Sequence, residues 1–130
     1  MSFLTSNTML LTQRTMDYLW KKQSVIAENV TNAETPGYKT KYVTFEQELR
    51  NRLEKASELG ENGMRTAMRE GILGSNIETH RAENETTRLD GNGVNVTEQN
   101  IELSRTYIQY QLTTRAFAEE MTRLRAAIRG

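Results

Sequence analysis

The chain has 130 residues, 36% of them apolar and 26% charged, a length that suits one domain but a composition too polar to fill a large independent core. Its seventeen basic and seventeen acidic side chains cancel, which removes the bulk positive field that nucleic acid or an anionic membrane would need. Cysteine is absent, so disulfides and thiolate metal sites are excluded. No apolar run approaches the roughly 20 residues of a transmembrane span. The stretch from Met1 to Thr15 has no basic region ahead of an apolar core, so any export is expected to proceed without a cleavable signal peptide.

The first predicted element is a helix from about Thr8 to Ala33. Leu11, Tyr18 and Val25 recur every seven residues, and Leu19, Ile26, Val30 and Ala33 occupy neighbouring positions of the helical wheel. Met9, Met16, Trp20 and Ala27 widen the apolar band until only a narrow polar sector remains. A helix with that much apolar surface needs more than one neighbour. Asn29 falls in line with Leu11, Tyr18 and Val25, which puts an amide in a packed seam where it must find partners or cost about 1–3 kcal/mol.

The only proline, Pro36, ends this helix near Ala33, because it lacks an N–H and drives Thr35 out of the α region. Thr35-Pro36-Gly37-Tyr38 then reads as a turn, with Pro36 preset for the second position and Gly37 able to take the positive φ of the third. Phe45 to Leu59 carries a short amphipathic pattern through Phe45, Leu49, Leu53 and Ala56. Gly60 to Gly93 is rich in glycine, threonine and charge with few apolar anchors, and is expected to be an extended or mobile arm with short β pieces.

The last element is the most regular. Leu103, Tyr107, Tyr110, Thr114, Phe117, Met121, Leu124 and Ile128 alternate spacings of four and three, the seam of a coiled coil, and Ile101, Ile108 and Leu112 form a second stripe on the other side. Its start has two competing caps. Asn95 with Glu98 at N3 makes a capping-box-like pair, whereas Thr97 lets Val96 and Ile101 form a hydrophobic staple. Arg123, Arg125 and Arg129 complement the dipole at its end.

Lengths then select an architecture. At 1.5 Å per residue the two helices are about 39 and 46 Å long, whereas a compact 130-residue globule is about 36 Å across. Both would overhang such a globule. The expected fold is therefore mainly α: two long terminal helices paired as an elongated antiparallel coiled-coil hairpin, with a partly irregular middle segment. Residues 1–39 supply the first helix and turn, 40–94 the middle arm and 95–130 the last helix, one assembly domain built from both ends of the chain. The surface expected to join subunits comprises Leu11, Tyr18, Val25, Ile26 and Asn29 with Leu103, Tyr107, Tyr110, Phe117, Met121, Leu124 and Ile128.

Catalytic readings find little support. His80 is the only histidine, without cysteine or a serine in a nucleophile elbow, and reads as a solvated loop residue. Glu78, Glu83, Glu85 and Asp90 alternate with Arg81 and Arg88 in a polar stretch that offers nothing to bury an acid–base pair. A calcium loop starting at Asp90 fails at Val94, Asn95 and Ile101, where an oxygen ligand, a glycine and a glutamate belong. Asp90-Gly91-Asn92-Gly93 is better read as a tight turn. The expectation is no enzyme, no cofactor, no metal, no small-molecule substrate and no nucleic acid.

Ala27-Glu28-Asn29-Val30-Thr31-Asn32-Ala33-Glu34-Thr35-Pro36-Gly37-Tyr38-Lys39 resembles the N-terminal signature of bacterial flagellar rod and hook axial proteins, A-x-N-I/V-A-N-x-x-T-P-G-Y. The matching residues are Asn29, Asn32, Thr35, Pro36, Gly37 and Tyr38, with Thr31 where the family usually has alanine. Leu89-Asp90-Gly91-Asn92-Gly93-Val94-Asn95, followed by Tyr107-Ile108-Gln109-Tyr110-Gln111, is similar to the second signature, L-D-G-N-x-V-D and then a Tyr-Gln pair, with Asn95 standing in for an acidic residue. The length and the lack of a large inserted domain are most like the proximal rod members.

The resemblance implies a structural role in which terminal helices polymerise into the periplasmic rod of the flagellar basal body. It implies as partners copies of the chain, other rod proteins, the rod-base adaptor and the flagellar type III export apparatus. Early substrates of that apparatus are similar in carrying phenylalanine, three residues and an apolar residue, which Phe45 and Leu49 match; packing of a helix face accounts for the same pair. The alternative from another class is a soluble helical-hairpin adaptor or secretion chaperone.

Overall fold

The computed structural model describes residues 7–82 and 93–130. Helix α1 spans Asn7–Thr31, strand β1 Lys41–Thr44, helices α2 and α3 Glu46–Ser57 and Glu61–Gly74, strand β2 Glu78–Arg81, and helix α4 Val96–Arg129. At 1.5 Å per residue, the 34 residues of α4 span about 51 Å and the 25 of α1 about 38 Å. They pack antiparallel along their lengths. The end of α1 meets the start of α4 at Asn29 and Gln99, Lys22 pairs with Glu102 at 3.5 Å, and Trp20 lies against Tyr110 with ring centroids 6.3 Å apart. The expected elongated helical hairpin is the fold.

The α1 face is the more buried of the two. Met9, Tyr18, Leu19, Val25, Ile26 and Asn29 are all enclosed within the subunit. On α4 the inward line runs through Gln99, Leu103, Thr106, Tyr110, Thr113, Phe117, Met121 and Leu124, of which Thr106 is fully buried and the rest half-buried. This line shares Leu103, Tyr110, Phe117, Met121 and Leu124 with the sequence-derived seam but replaces Tyr107 and Thr114 by the residues just before them. Tyr107, Thr114 and Ile128 stand at the surface instead. The reason is the degeneracy of α4: large apolar residues surround the helix, so periodicity alone leaves its rotation uncertain by one position. The small Thr106 side chain turns back onto the Glu102 carbonyl at 2.7 Å, satisfying its hydroxyl in the seam.

The middle segment corrects the extended-arm expectation for residues 61–74. That stretch forms α3 despite Gly63 and Gly71, each costing about 1 kcal/mol in a helix interior relative to alanine. Tertiary burial overrides that cost. Ile72 enters the main hydrophobic cluster with Tyr18, Leu19, Phe45 and Leu49, and the Tyr18 and Phe45 rings approach to 5.4 Å. Arg14 ties the far end of α3 to α1 by donating from its guanidinium to the Ser75 carbonyl, and it lies over the Phe45 ring, 5.7 Å from its centroid. The middle segment is thus folded onto α1.

The β pieces appear as one antiparallel pair, with Lys41 opposite Arg81, Tyr42 opposite His80, Val43 opposite Thr79 and Thr44 opposite Glu78. At the other junction Asn95 caps α4, its side chain accepting from the Glu98 N–H at 3.2 Å. Asn95 is therefore the cap, one of the two options the sequence allowed.

Candidate functional site

The motif from Ala27 to Lys39 builds the junction of the fold. Helix α1 ends at Thr31, and Asn32 supports that end: its amide donates to the Glu28 carbonyl at 2.9 Å, while its side-chain oxygen accepts from the Thr35 hydroxyl at 3.2 Å. The Thr35 N–H also donates to the Asn32 carbonyl at 3.0 Å. Thr31, the departure from the family pattern, places its hydroxyl on the Ala27 carbonyl at 2.8 Å and so folds back on its own helix. The Tyr38 N–H then closes on the Thr35 carbonyl at 3.2 Å, and Gly37 sits at φ +75°. With Pro36 confined to negative φ, this is a type II turn.

Asn29 is the centre of the junction. It is fully buried, and its amide uses all of its hydrogen-bonding capacity. The NH2 donates to the Lys41 carbonyl at 2.8 Å and to Gln99 Oε1 at 2.9 Å; the oxygen accepts from the Lys41 N–H at 2.9 Å and the Tyr38 hydroxyl at 2.9 Å. The Ala82 N–H donates to the Thr40 carbonyl at 2.9 Å, so by antiparallel alternation the Lys41 backbone groups face away from β2 and toward α1. There the Asn29 amide meets both of them, as the backbone of another strand would. One side chain therefore pins α1, the turn, β1 and α4 together.

Tyr38 keeps its proton for this bond. Burial pushes its phenol above the ordinary value, the Glu28 carboxylate adds to the rise, and the Lys41 and Arg81 cations pull against it. Lys41 in turn bonds Glu28 at 2.5 Å. A groove of about 450 Å³ opens beside the turn, lined by Thr35, Pro36, Gly37, Tyr38, Lys39, Lys41 and Arg81.

The second feature is a surface. Ile101, Ile108 and Leu112 are each more than half exposed and lie on the side of α4 opposite α1. Trp20, at 66% exposure, and Tyr107 flank the hairpin with further apolar area. Three large aliphatic side chains in line, beyond the reach of any described element, are the kind of patch that marks an interaction surface.

The other sequence candidates divide clearly. Tyr18, Val25, Ile26 and Asn29 are buried inside the subunit, and Leu11 is half-buried against the core cluster. Phe45 and Leu49 are core residues. Asp90, Gly91 and Asn92, with Glu83, Glu85 and Arg88, lie outside the described residues. His80 is placed in β2 rather than a loop: its Nε2 is 2.8 Å from the Thr44 hydroxyl and its ring stacks on Tyr42 at 5.3 Å. Among the described residues no group of three or more histidine or carboxylate side chains is arranged to hold a metal ion. Likewise, no helix among them is long and apolar enough to cross a membrane. The groove beside the turn is a site that sequence reading missed, since Arg81 reaches it only through the pairing of β1 with β2.

Fold and surface together define a class: an elongated helical-hairpin protein whose exposed apolar chemistry lies along its longest helix. The comparisons give that class a particular relative. The chain is similar to the flagellar basal body rod protein FlgB of Borrelia hermsii, 47% identical over 51 residues. The match spans 38% of this chain and 38% of that protein, well under two thirds of either. No family model matches the chain. Similarity to a flagellar rod protein is thus found by comparison with a curated protein as well as in the sequence motifs.

Proposed function

We propose that the chain is a structural subunit of the proximal rod of the bacterial flagellar basal body, polymerising through its paired terminal helices into the periplasm-spanning drive shaft required for motility. The observation that carries this reading is the outward stripe Ile101, Ile108 and Leu112, 57%, 56% and 59% exposed on a helix whose opposite side is already occupied by α1. Covering the exposed half of each side chain is worth roughly 1 kcal/mol, so one neighbouring helix laid along the stripe gains roughly 3 kcal/mol per subunit. Repeated around a helical assembly, such contacts make a stiff shaft from a small protein. Copies of the chain, other rod proteins and the rod-base adaptor are the partners this reading implies. Export through the flagellar type III apparatus without cleavage completes it. Because Phe45 and Leu49 are buried, recognition of that pair as an export signal would act on the chain before it folds.

The test is the triple variant Ile101→Gln, Ile108→Gln and Leu112→Gln. These side chains contribute little to the subunit core, so the variant should fold and be exported like the parent, yet fail to form rods and leave cells non-motile. Wild-type motility in that strain would overturn the interface assignment. Leu103, Tyr110 and Phe117 serve this purpose less well, because they are half-buried in the α1–α4 seam and their loss would damage the subunit itself. Blotting purified basal bodies separates the two function classes: a rod subunit is retained there, whereas an adaptor or secretion chaperone stays in the cell.

A further inference from the structure

We infer that the groove beside the Thr35–Tyr38 turn is a docking site for a short acidic segment of a partner protein. This does not rest on the outer face of α4 and stands apart from the rod reading. Among the described residues the charged side chains that line the groove are all cationic. Lys39, Lys41 and Arg81 line it, and the neighbouring Glu28 is the carboxylate that answers them, held by Lys41 at 2.5 Å. Lys39 and Arg81 are exposed and have no ion-pair partner among the described residues. Among the described residues, these two cations therefore converge on one concavity with no carboxylate paired to either.

The walls are fixed rather than adaptable. The turn is closed by the Tyr38 N–H on the Thr35 carbonyl, the Tyr38 hydroxyl is anchored on Asn29, and both backbone groups of Lys41 are held by the same amide. Arg81 is placed opposite Lys41 by the strand register. A site built on such elements loses little freedom when a ligand binds. Pro36 and Tyr38 add apolar area to the same lining, so a peptide bearing carboxylates suits it better than a bare anion.

Size limits that occupant. A volume of 450 Å³ lies within the range of ligand sites. A stretch of a few residues is enough to occupy it. Carboxylates on such a stretch would accept charge-assisted hydrogen bonds from Arg81 and Lys39.

The experiment uses the full chain, isotopically labelled, titrated with a hexaglutamate peptide at low salt and followed by amide chemical shifts. A hexaglutamine peptide and inorganic phosphate are run in parallel at matched ionic strength. Saturable shifts centred on Gly37, Tyr38, Lys39 and Arg81 are expected with hexaglutamate only, weakening as salt rises. Arg81→Gln and Lys39→Gln should each weaken binding about three- to tenfold, while Arg50→Gln, a substitution of an exposed cation on α2, leaves it unchanged. Absent or non-saturable shifts would overturn the inference, as would equal loss in Arg50→Gln. Phosphate binding as tight as the peptide's would also overturn it, showing a general anion site instead. Should Arg81→Gln disturb the β1 and β2 amides, Lys39→Gln, which lies outside either strand, decides alone.

Discussion

Replacing Asn29 by alanine strands four hydrogen-bonding partners at once: the Lys41 N–H, the Lys41 carbonyl, the Tyr38 hydroxyl and Gln99 Oε1. The Tyr38 and Gln99 groups are at the ends of longer side chains and can turn toward water. The two Lys41 backbone groups cannot, because β2 occupies the other side of the strand and α1 covers this one. An unsatisfied buried polar group costs about 1–3 kcal/mol, so the pair costs about 2–6 kcal/mol. At roughly 4 °C per kcal/mol for a chain of this size, the midpoint loss for a central value of about 4 kcal/mol is roughly 16 °C.

Asn29→Asp should be worse still, although it is nearly isosteric. The oxygen that replaces Nδ2 faces both the Lys41 carbonyl and Gln99 Oε1, acceptor against acceptor, in a fully buried position. Thermal melting followed by circular dichroism gives the magnitude, and amide hydrogen exchange at Lys41 and Val43 gives the location. A melt of Asn29→Ala within about 2 °C of the parent would refute the reasoning. So would an Asn29→Asp variant more stable than Asn29→Ala.

Other substitutions probe the same junction and the core. Tyr38→Phe should cost about 1–2 kcal/mol at neutral pH by removing one donor to Asn29. Because the folded phenol titrates above its ordinary value of 10.0, the difference between parent and Tyr38→Phe is complete below pH 10 and shrinks as pH rises from 10 through the raised value, the unfolded chain losing its proton first. Melts at pH 8 and 10.5 check this, and a constant gap would contradict it. Gly37→Ala meets no atom within 4 Å but must hold φ +75°, so its cost is conformational, about 1–2 kcal/mol by denaturant titration. Ile72→Ala, at the point where α3 joins the main cluster, should lose about 2–5 kcal/mol by the same titration. His80→Ala removes a cross-strand contact at the surface and should leave motility intact, as measured on soft agar.

How far the sequence reached is clearest along the motif and along α4. Pro36 and Gly37 announced the helix stop and the type II turn, because their backbone limits are intrinsic and need no neighbour. Asn29 announced a need for partners, because a buried amide always has one. Its partners were not legible: Lys41 and Gln99 lie 12 and 70 residues away, and nothing local selects them. Helix α3 escaped because the glycines in its interior, Gly63 and Gly71, lower local propensity while burial of Ile72 restores the balance from outside.

By itself, then, the sequence determined where the two long helices lie, where the first one stops, and that the resulting hairpin carries more apolar surface than it can bury. These follow from periodicity and backbone chemistry, which act over a few residues. Only the tertiary structure decided the rotation of α4 that buries Thr106 and exposes Tyr107, the folding of the middle segment onto α1, and the convergence of Lys39, Lys41 and Arg81 on one groove. Each of those depends on contacts between residues far apart in the chain, where packing geometry, and not local preference, chooses among nearly equal faces.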